Sequence, residues 1–190
     1  MTHVSIIGSG NMGQAIAAVV AKGGNTVELF NSTDKDKEVT GELVILATPY
    51  PAYQQIVADR AEQLAGKVVV DISNPLNFET FDSLVVPADG SAAAELAEQL
   101  PDSTVLKAFN TNFAATVASG TAGEVPTTVL IAGDDAEAKA LLAGIVSAGG
   151  LKAVDAGSLK RARELEAIGF LQLTLAVGEK TPWTGGFGLA

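Results

Sequence analysis

The sequence predicts an α/β fold, a Rossmann-type doubly wound parallel sheet in a single domain with a helix after the last strand. Three observations predict it. Short apolar runs alternate with helix-length stretches along the whole chain. The first run, Val4-Ser5-Ile6-Ile7, leads through Gly8-Ser9-Gly10-Asn11-Met12-Gly13 into Gln14-Ala15-Ile16-Ala17-Ala18-Val19-Val20, giving strand, glycine turn and helix in order. Successive strands then close on small polar residues or proline, the residues expected where such sheets bind ligands at their carboxyl ends.

The elements follow in order. The three glycines of residues 8–13 meet three needs: a tight turn, close backbone approach to a pyrophosphate, and close packing of helix on strand. The helix that follows offers free N–H groups and a positive dipole end to the phosphates. Thr26–Phe30 is a second strand, closed by Asn31-Ser32-Thr33. Residues 34–41 (DKDKEVTG) are too short and too charged for a full crossover helix and predict a turn or loop. Leu43–Ala47 is a third strand stopped by Thr48-Pro49, and Tyr50 or Pro51 opens a helix to about Leu64.

Lys67–Ile72 is the fourth strand, ending in Ser73-Asn74-Pro75. Residues 76–90 are irregular, and Ser91 caps a helix over Ala92–Leu100. Val105–Phe109 is the fifth strand, closed by Asn110-Thr111, followed by a short helix around Phe113–Ala118 and a glycine-containing loop. Thr128–Ala132 is the sixth strand. Asp134-Asp135 cap a helix over Ala136–Ala148 that ends at Gly149-Gly150. A short strand over Lys152–Asp155 precedes a C-terminal helix from about Ser158 to Val177. No linker separates two domains, so residues 1–190 read as one dinucleotide-binding domain whose C-terminal helix and tail span about 158–190.

Composition narrows the function. The chain has 190 residues, 47% of them hydrophobic, enough for one core but not for a nucleotide domain plus a full substrate domain. A net charge of −10 argues against nucleic acid and anionic membrane surfaces as partners. With no cysteine, disulfides, thiolate catalysis and cysteine zinc sites are excluded. No secretory signal or membrane-length apolar run is visible, and the expected location is cytoplasmic.

The second strand bears on the cofactor. A site for NAD carries Asp or Glu about 20 residues beyond the glycines to bond the ribose hydroxyl. Here Asn31, Ser32 and Thr33 stand there, with Lys35 and Lys37 behind them. Uncharged donors with a cation suit a ribose 2′-phosphate, so NADP (NADPH) is favoured. No residue cluster has metal-ligand spacing, so no metal is expected. No Tyr-x-x-x-Lys pair follows Tyr50 or Tyr53, and the lone histidine, His3, precedes the first strand.

Taken together, Gly-Ser-Gly-Asn-Met-Gly (8–13), Asn31-Ser32-Thr33, Thr48-Pro49-Tyr50, Asp71-Ile72-Ser73-Asn74-Pro75 and Lys107-Ala108-Phe109-Asn110-Thr111 resemble the NADPH-dependent reductases of the deazaflavin coenzyme F-420. That family also includes the oxidoreductase domain of the STEAP metalloreductases. The resemblance covers essentially the whole chain and extends to Ala162–Ala167 and Gly185-Gly186-Phe187. It implies direct hydride transfer between NADP and F-420 or a flavin-like acceptor. It also implies that Ser9, Asn11 and Met12 lie against the pyrophosphate, and Ser32 and Thr33 against the 2′-phosphate. Thr48, Pro49, Asn74 and Asn110 would lie near the nicotinamide and its ribose, and Ala47 and Pro75 are expected among the cofactor-binding residues. The chain departs from the family in having Ser32 and Thr33 where an arginine is usual.

The expectation is therefore an NADP(H)-dependent oxidoreductase with no obligatory side-chain acid or base. Tyr50 is the one candidate proton donor, and Pro49, Tyr50 and Phe187 would shape the acceptor pocket. Two alternatives stay open. One is a pyrroline-carboxylate reductase relative, since Gly-Asn-Met-Gly-x-Ala-Ile also opens that family. The other is a non-catalytic NADP(H)-binding sensor. Ile168-Gly169-Phe170-Leu171-Gln172-Leu173 points to a homodimer.

Overall fold

A computed structural model describes residues 1–189. The chain opens with β1 (His3–Ile7), α1 (Asn11–Lys22) and β2 (Thr26–Phe30). Residues 34–41 form turns without a helix, as their charge and length predict, and the chain returns as β3 (Leu43–Leu46). Next come a single 3₁₀ turn, α2 (Tyr53–Leu64) and β4 (Val68–Asp71). The irregular stretch 76–90 is pinned by an antiparallel bridge between Leu76 and Leu84. Then α3 (Ala92–Gln99) starts at Ser91, whose side chain accepts from Ala94 N at 3.1 Å, and leads to β5 (Thr104–Lys107).

β1 to β5 lie in the order β2-β1-β3-β4-β5, all parallel. Their residues alternate between two cores because successive side chains point to opposite faces. Val4, Ile6, Leu43 and Ile45 face α1, while Ile7, Val44 and Leu46 join Tyr53 and Leu64 of α2 and Leu96 of α3. The Rossmann class expected from the sequence is what the chain forms.

The sheet departs from the expected all-parallel arrangement at its far edge. After β5 the chain turns through Phe109, at φ +60°, into the six-residue α4 (Ala114–Ser119). A small hairpin of β6 (Thr121–Ala122) and β7 (Val125–Pro126) follows, where the sequence predicts a glycine-containing loop. Then β8 (Thr128–Ala132), α5 (Ala136–Ala148) and β9 (Lys152–Gly157) form a parallel unit of their own. β8 joins β5 antiparallel at a single register pair, Lys107 with Ala132. The physical reason is length: a parallel return needs a helix that spans the sheet, and six residues rise only about 9 Å. The chain therefore re-enters from the carboxyl side, and β8 runs antiparallel to β5.

α6 (Ala162–Val177) closes the fold against α3 and the strand ends. Its Gly169 packs so closely that a Cβ there would lie 2.2 Å from Asn74 Oδ1 and 2.9 Å from the Asn110 carbonyl. Among the described residues, no helix is long and apolar enough to cross a membrane.

Candidate active site in the strand-end crevice

The glycine turn divides into two kinds of glycine. Gly8 has φ +120°, and a Cβ on it would lie 2.1 Å from the Ala47 carbonyl oxygen. A Cβ on Gly13 would lie 1.9 Å from the Gly8 carbonyl oxygen. Both are dictated by packing within the chain. Gly10 is different: its φ is an ordinary −71°, and a Cβ there would meet nothing within 4 Å. The chain itself has no need of a glycine there, whereas a ligand lying on the turn does. The first intrahelical bond of α1 runs from Gln14 N to Gly10 O at 2.9 Å, which leaves the amides of Asn11, Met12 and Gly13 without intrahelical acceptors.

Two clefts adjoin across the strand ends and share Ala47, Thr48 and Pro49. The first, about 470 Å³, runs from Gly8, Ser9 and Gly10 past Asn31 and Ser32 to Lys35. The second, about 570 Å³, is entered over Asn11 and Met12 and reaches Asn74, Asn110 and the aromatic rings of Phe78, Phe113 and Trp183. No charged side chain lines the second cleft. The Trp183 ring lies 4.8 Å from that of Phe113.

Most of the residues singled out in the sequence converge on this crevice, and a few do not. Gly13 is buried in the helix–strand contact. Thr33 turns back on Asn31, whose Oδ1 accepts from Thr33 N at 2.7 Å and Thr33 Oγ1 at 2.5 Å. Pro75 stands outside both clefts, its carbonyl accepting from Val85 N at 2.8 Å. Tyr50 faces away from the crevice: its hydroxyl donates to Glu95 of α3, and it lines a shallow hollow with Tyr53 and Gln99. Burial, then the hydrogen bond and charge of Glu95, push its pKa up to about 12. Phe187 likewise lies elsewhere, in a groove with Ile168 and Leu171.

Asn74 and Asn110 are locked to each other. Asn110 Nδ2 donates to Asn74 Oδ1 at 2.9 Å and to the Leu165 carbonyl at 2.8 Å, and Asn74 Nδ2 donates to the Asn110 carbonyl at 2.8 Å. These bonds fix which end of the Asn110 amide is nitrogen, so its Oδ1 is a buried acceptor with no partner. Asn112, which no sequence pattern singles out, behaves the same way: its Nδ2 donates to the Thr128 carbonyl at 3.0 Å and its Oδ1 is unpaired. Thr48 Oγ1 and Ser73 Oγ are also buried and unpaired. All four of these atoms belong to residues lining the second cleft. Buried polar atoms are rarely left unpaired, so the cluster marks where a ligand's donors belong.

Beneath this loop lies a buried charge network that the sequence did not reveal. Lys107 Nζ donates to Asp71 Oδ2 and Glu166 Oε1, both at 2.8 Å, and to the Ser73 carbonyl at 2.6 Å. Tyr53 donates its hydroxyl to Asp71 Oδ1 at 2.5 Å, which also accepts from Ser73 N at 2.7 Å. Glu166 Oε2 accepts from Ala92 N at 3.0 Å, at the start of α3. Burial raises the Glu166 pKa, and Lys107 opposes the rise. The network fixes Ser73 and Asn74 at the mouth of β4 and anchors α6 to them. It has no access to the crevice, since the side chains of all three charged members are fully buried. Among the described residues, no group of three or more His, Asp or Glu is placed to hold a metal ion.

Comparison with known proteins follows the same line. No protein-family model matches the chain. The F420-dependent NADP reductase of Methanocaldococcus jannaschii is 31% identical over 171 residues, covering 88% of this chain and 76% of that protein. The metalloreductase STEAP3 of Rattus norvegicus is 33% identical over 180 residues, covering 87% of this chain but only 36% of that protein. A crystal structure from Arthrobacter sp. FB24, described as a candidate F420-dependent NADP-reductase, superimposes with a TM-score of 0.87 at 26% identity and covers 100% of both chains.

Proposed function

The chain belongs to the family of F420-dependent NADP reductases, and from that premise we propose that it binds NADP(H) across both clefts and exchanges a hydride with a deazaflavin or flavin-like acceptor. The observation that carries this reading is the set of unpaired buried oxygens on Thr48, Ser73, Asn110 and Asn112 around one uncharged cleft. Two of them, the amide oxygens, can only accept hydrogen bonds, so they call for N–H or O–H donors on the ligand. A nicotinamide carboxamide and its ribose hydroxyls provide such donors.

Each residue then has a role. Gly8, Ser9, Gly10, Asn11, Met12 and the free amides of α1 hold the pyrophosphate. Asn31, Ser32 and Lys35 hold the adenosine end, with Thr33 acting through its turn. Thr48, Pro49, Asn74 and Asn110 orient the nicotinamide, and Phe78, Phe113 and Trp183 pack beside the acceptor ring. When bound, the reduced nicotinamide supplies the hydride and the acceptor takes it up. The chain aligns two rings and excludes water, and alignment alone can lower a barrier by about 7–11 kcal/mol. With no titratable side chain in the second cleft, no protein acid or base takes part.

The same reading takes the chain as one domain, working in the cytoplasm as a homodimer. Its support is the apolar surface of α6 and the tail, and the net charge of −10 keeps nucleic acid away. The test is anaerobic turnover of NADPH with F-420, and with a flavin in parallel, together with calorimetric binding of NADPH. Turnover that is nearly flat between about pH 6 and 8 is expected for a direct transfer. NADPH binding without turnover on either acceptor would identify a sensor instead.

A further inference from the structure

The turn after β2 lacks the crossover helix that would ordinarily hold its shape, yet it carries Lys35, a cation that lines the adenosine cleft and has no ion-pair partner among the described residues. Lys37 is occupied, 3.5 Å from Glu28 Oε2 and 4.3 Å above the Phe30 ring. What holds the turn is Arg60, from α2, which is 7% exposed. Its Nη2 donates to the carbonyls of Asp34 at 2.5 Å and Lys35 at 3.2 Å, and its Nη1 donates to the Lys37 carbonyl at 2.8 Å and Gln63 Oε1 at 3.4 Å. The guanidinium also lies 5.4 Å from the Phe30 ring, which seals the end of β2.

A guanidinium has five N–H donors, and here four are committed within the chain. Arg60 therefore lines the cleft without being free to grip a phosphate. It does for the turn what a helix does elsewhere, gathering the carbonyls of residues 34, 35 and 37 onto one rigid planar fork. The acidic groups around it are engaged: Asp34 Oδ2 accepts from Asn31 N at 2.8 Å, and Asp59, which also lines the cleft, accepts from Gln55 Nε2 at 2.7 Å.

We propose that Arg60 is a positioning residue for cofactor choice: by fixing the turn it holds Lys35 where a ribose 2′-phosphate arrives, replacing the arginine that Ser32 and Thr33 do not supply. The inference rests on the NADP reading above. A turn left loose would pay the ordering entropy of Lys35 on each binding event, and discrimination would fall while the shared parts of the dinucleotide bound as before.

The experiment measures binding of 2′-phospho-ADP-ribose and of ADP-ribose by calorimetry, with thermal unfolding as a check on folding. The wild type is expected to prefer the phosphorylated ligand. Arg60→Met should weaken that ligand alone by about tenfold, the scale of one charge-assisted contact, and leave ADP-ribose binding unchanged. Arg60→Lys should recover part of the loss, and Arg60→Met combined with Lys35→Met should be no worse than Lys35→Met alone. Equal weakening of both ligands, an unchanged preference, or additive losses in the double variant would each overturn the proposal. A wild type without preference would instead sink the NADP reading beneath it. Should Arg60→Met fail to fold, Arg60→Lys carries the same expectation at about threefold, since a single ammonium cannot bridge all three carbonyls.

Discussion

Gly10 shows how one missing side chain separates folding from binding. Alanine at position 10 meets no neighbour and sits at an ordinary φ, so Gly10→Ala should raise stability by about 0.4–1 kcal/mol through the unfolded state. It should also weaken dinucleotide binding at least about tenfold, because the added methyl occupies the space the pyrophosphate needs. Gly13→Ala should do the reverse in origin, destabilising by about 1–3 kcal/mol through its clash with the Gly8 carbonyl. Denaturant unfolding and calorimetry on the two variants check the contrast. The two tyrosines offer a second test at this scale. Both have pKa values raised by burial and by a carboxylate partner, Tyr50 to about 12 and Tyr53 well above its usual 10. The native state keeps these protons where the unfolded chain loses them. Their stabilising contribution is thus present below about pH 10 and lost as pH rises towards 12. The tyrosinate absorbance of the folded protein should stay near zero at pH 10, whereas the denatured protein should be about half ionised.

Between elements, the Lys107 network ties β4, β5, α3 and α6 into one corner under the second cleft. Lys107→Met would leave Asp71 and Glu166 buried without their cation, a loss of about 3–5 kcal/mol at neutral pH. Burial raises the Glu166 pKa and Lys107 opposes that rise, so without Lys107 Glu166 takes up a proton more readily. The deficit should therefore shrink as pH falls, so urea unfolding at pH 5 and pH 8 should show the larger loss at pH 8. This corner also marks where the sequence stopped being readable. The strand–glycine-turn–helix opening, the missing crossover helix and the serine cap of α3 are local patterns, and each reappears in the fold. Lys107, by contrast, meets Asp71 and Glu166 across 36 and 59 residues, and Arg60 reaches Lys35 across 25, separations over which no periodicity carries information. The direction of β8 was equally invisible, since alternation along a strand is the same read either way. Asn112 stands just past Asn110-Thr111 after β5, and nothing in its position along the chain distinguishes it from an ordinary loop asparagine; its half-satisfied amide, like that of Asn110, shows only in the fold.

Over the whole molecule, the distribution of apolar surface sets how the chain should behave in solution. Five of the eight exposed large hydrophobic residues among those described, Leu171, Val177, Trp183, Phe187 and Leu189, lie on α6 and the tail after it. A buried Gln172 holds that tail in place, its Oε1 accepting from Phe187 N at 3.0 Å and its Nε2 donating to the Thr111 carbonyl at 3.1 Å. The surface is thus rigid, and a rigid apolar face is what a symmetric dimer uses. Within the chain, β1 and β3 contribute alternate side chains to both cores, so neither face can melt without exposing the other. One cooperative unfolding transition is expected, as for a single domain. If two copies meet through α6, dissociation is coupled to that transition, and a tenfold rise in protein concentration should raise its midpoint by about 2–4 °C. Leu171→Glu places a charge on the face without touching either cleft. It should yield a monomer by light scattering, with the circular dichroism of the wild type and a midpoint independent of concentration. A wild type that is already monomeric at micromolar concentration, or two separated transitions in calorimetry, would count against the dimer and the single domain respectively.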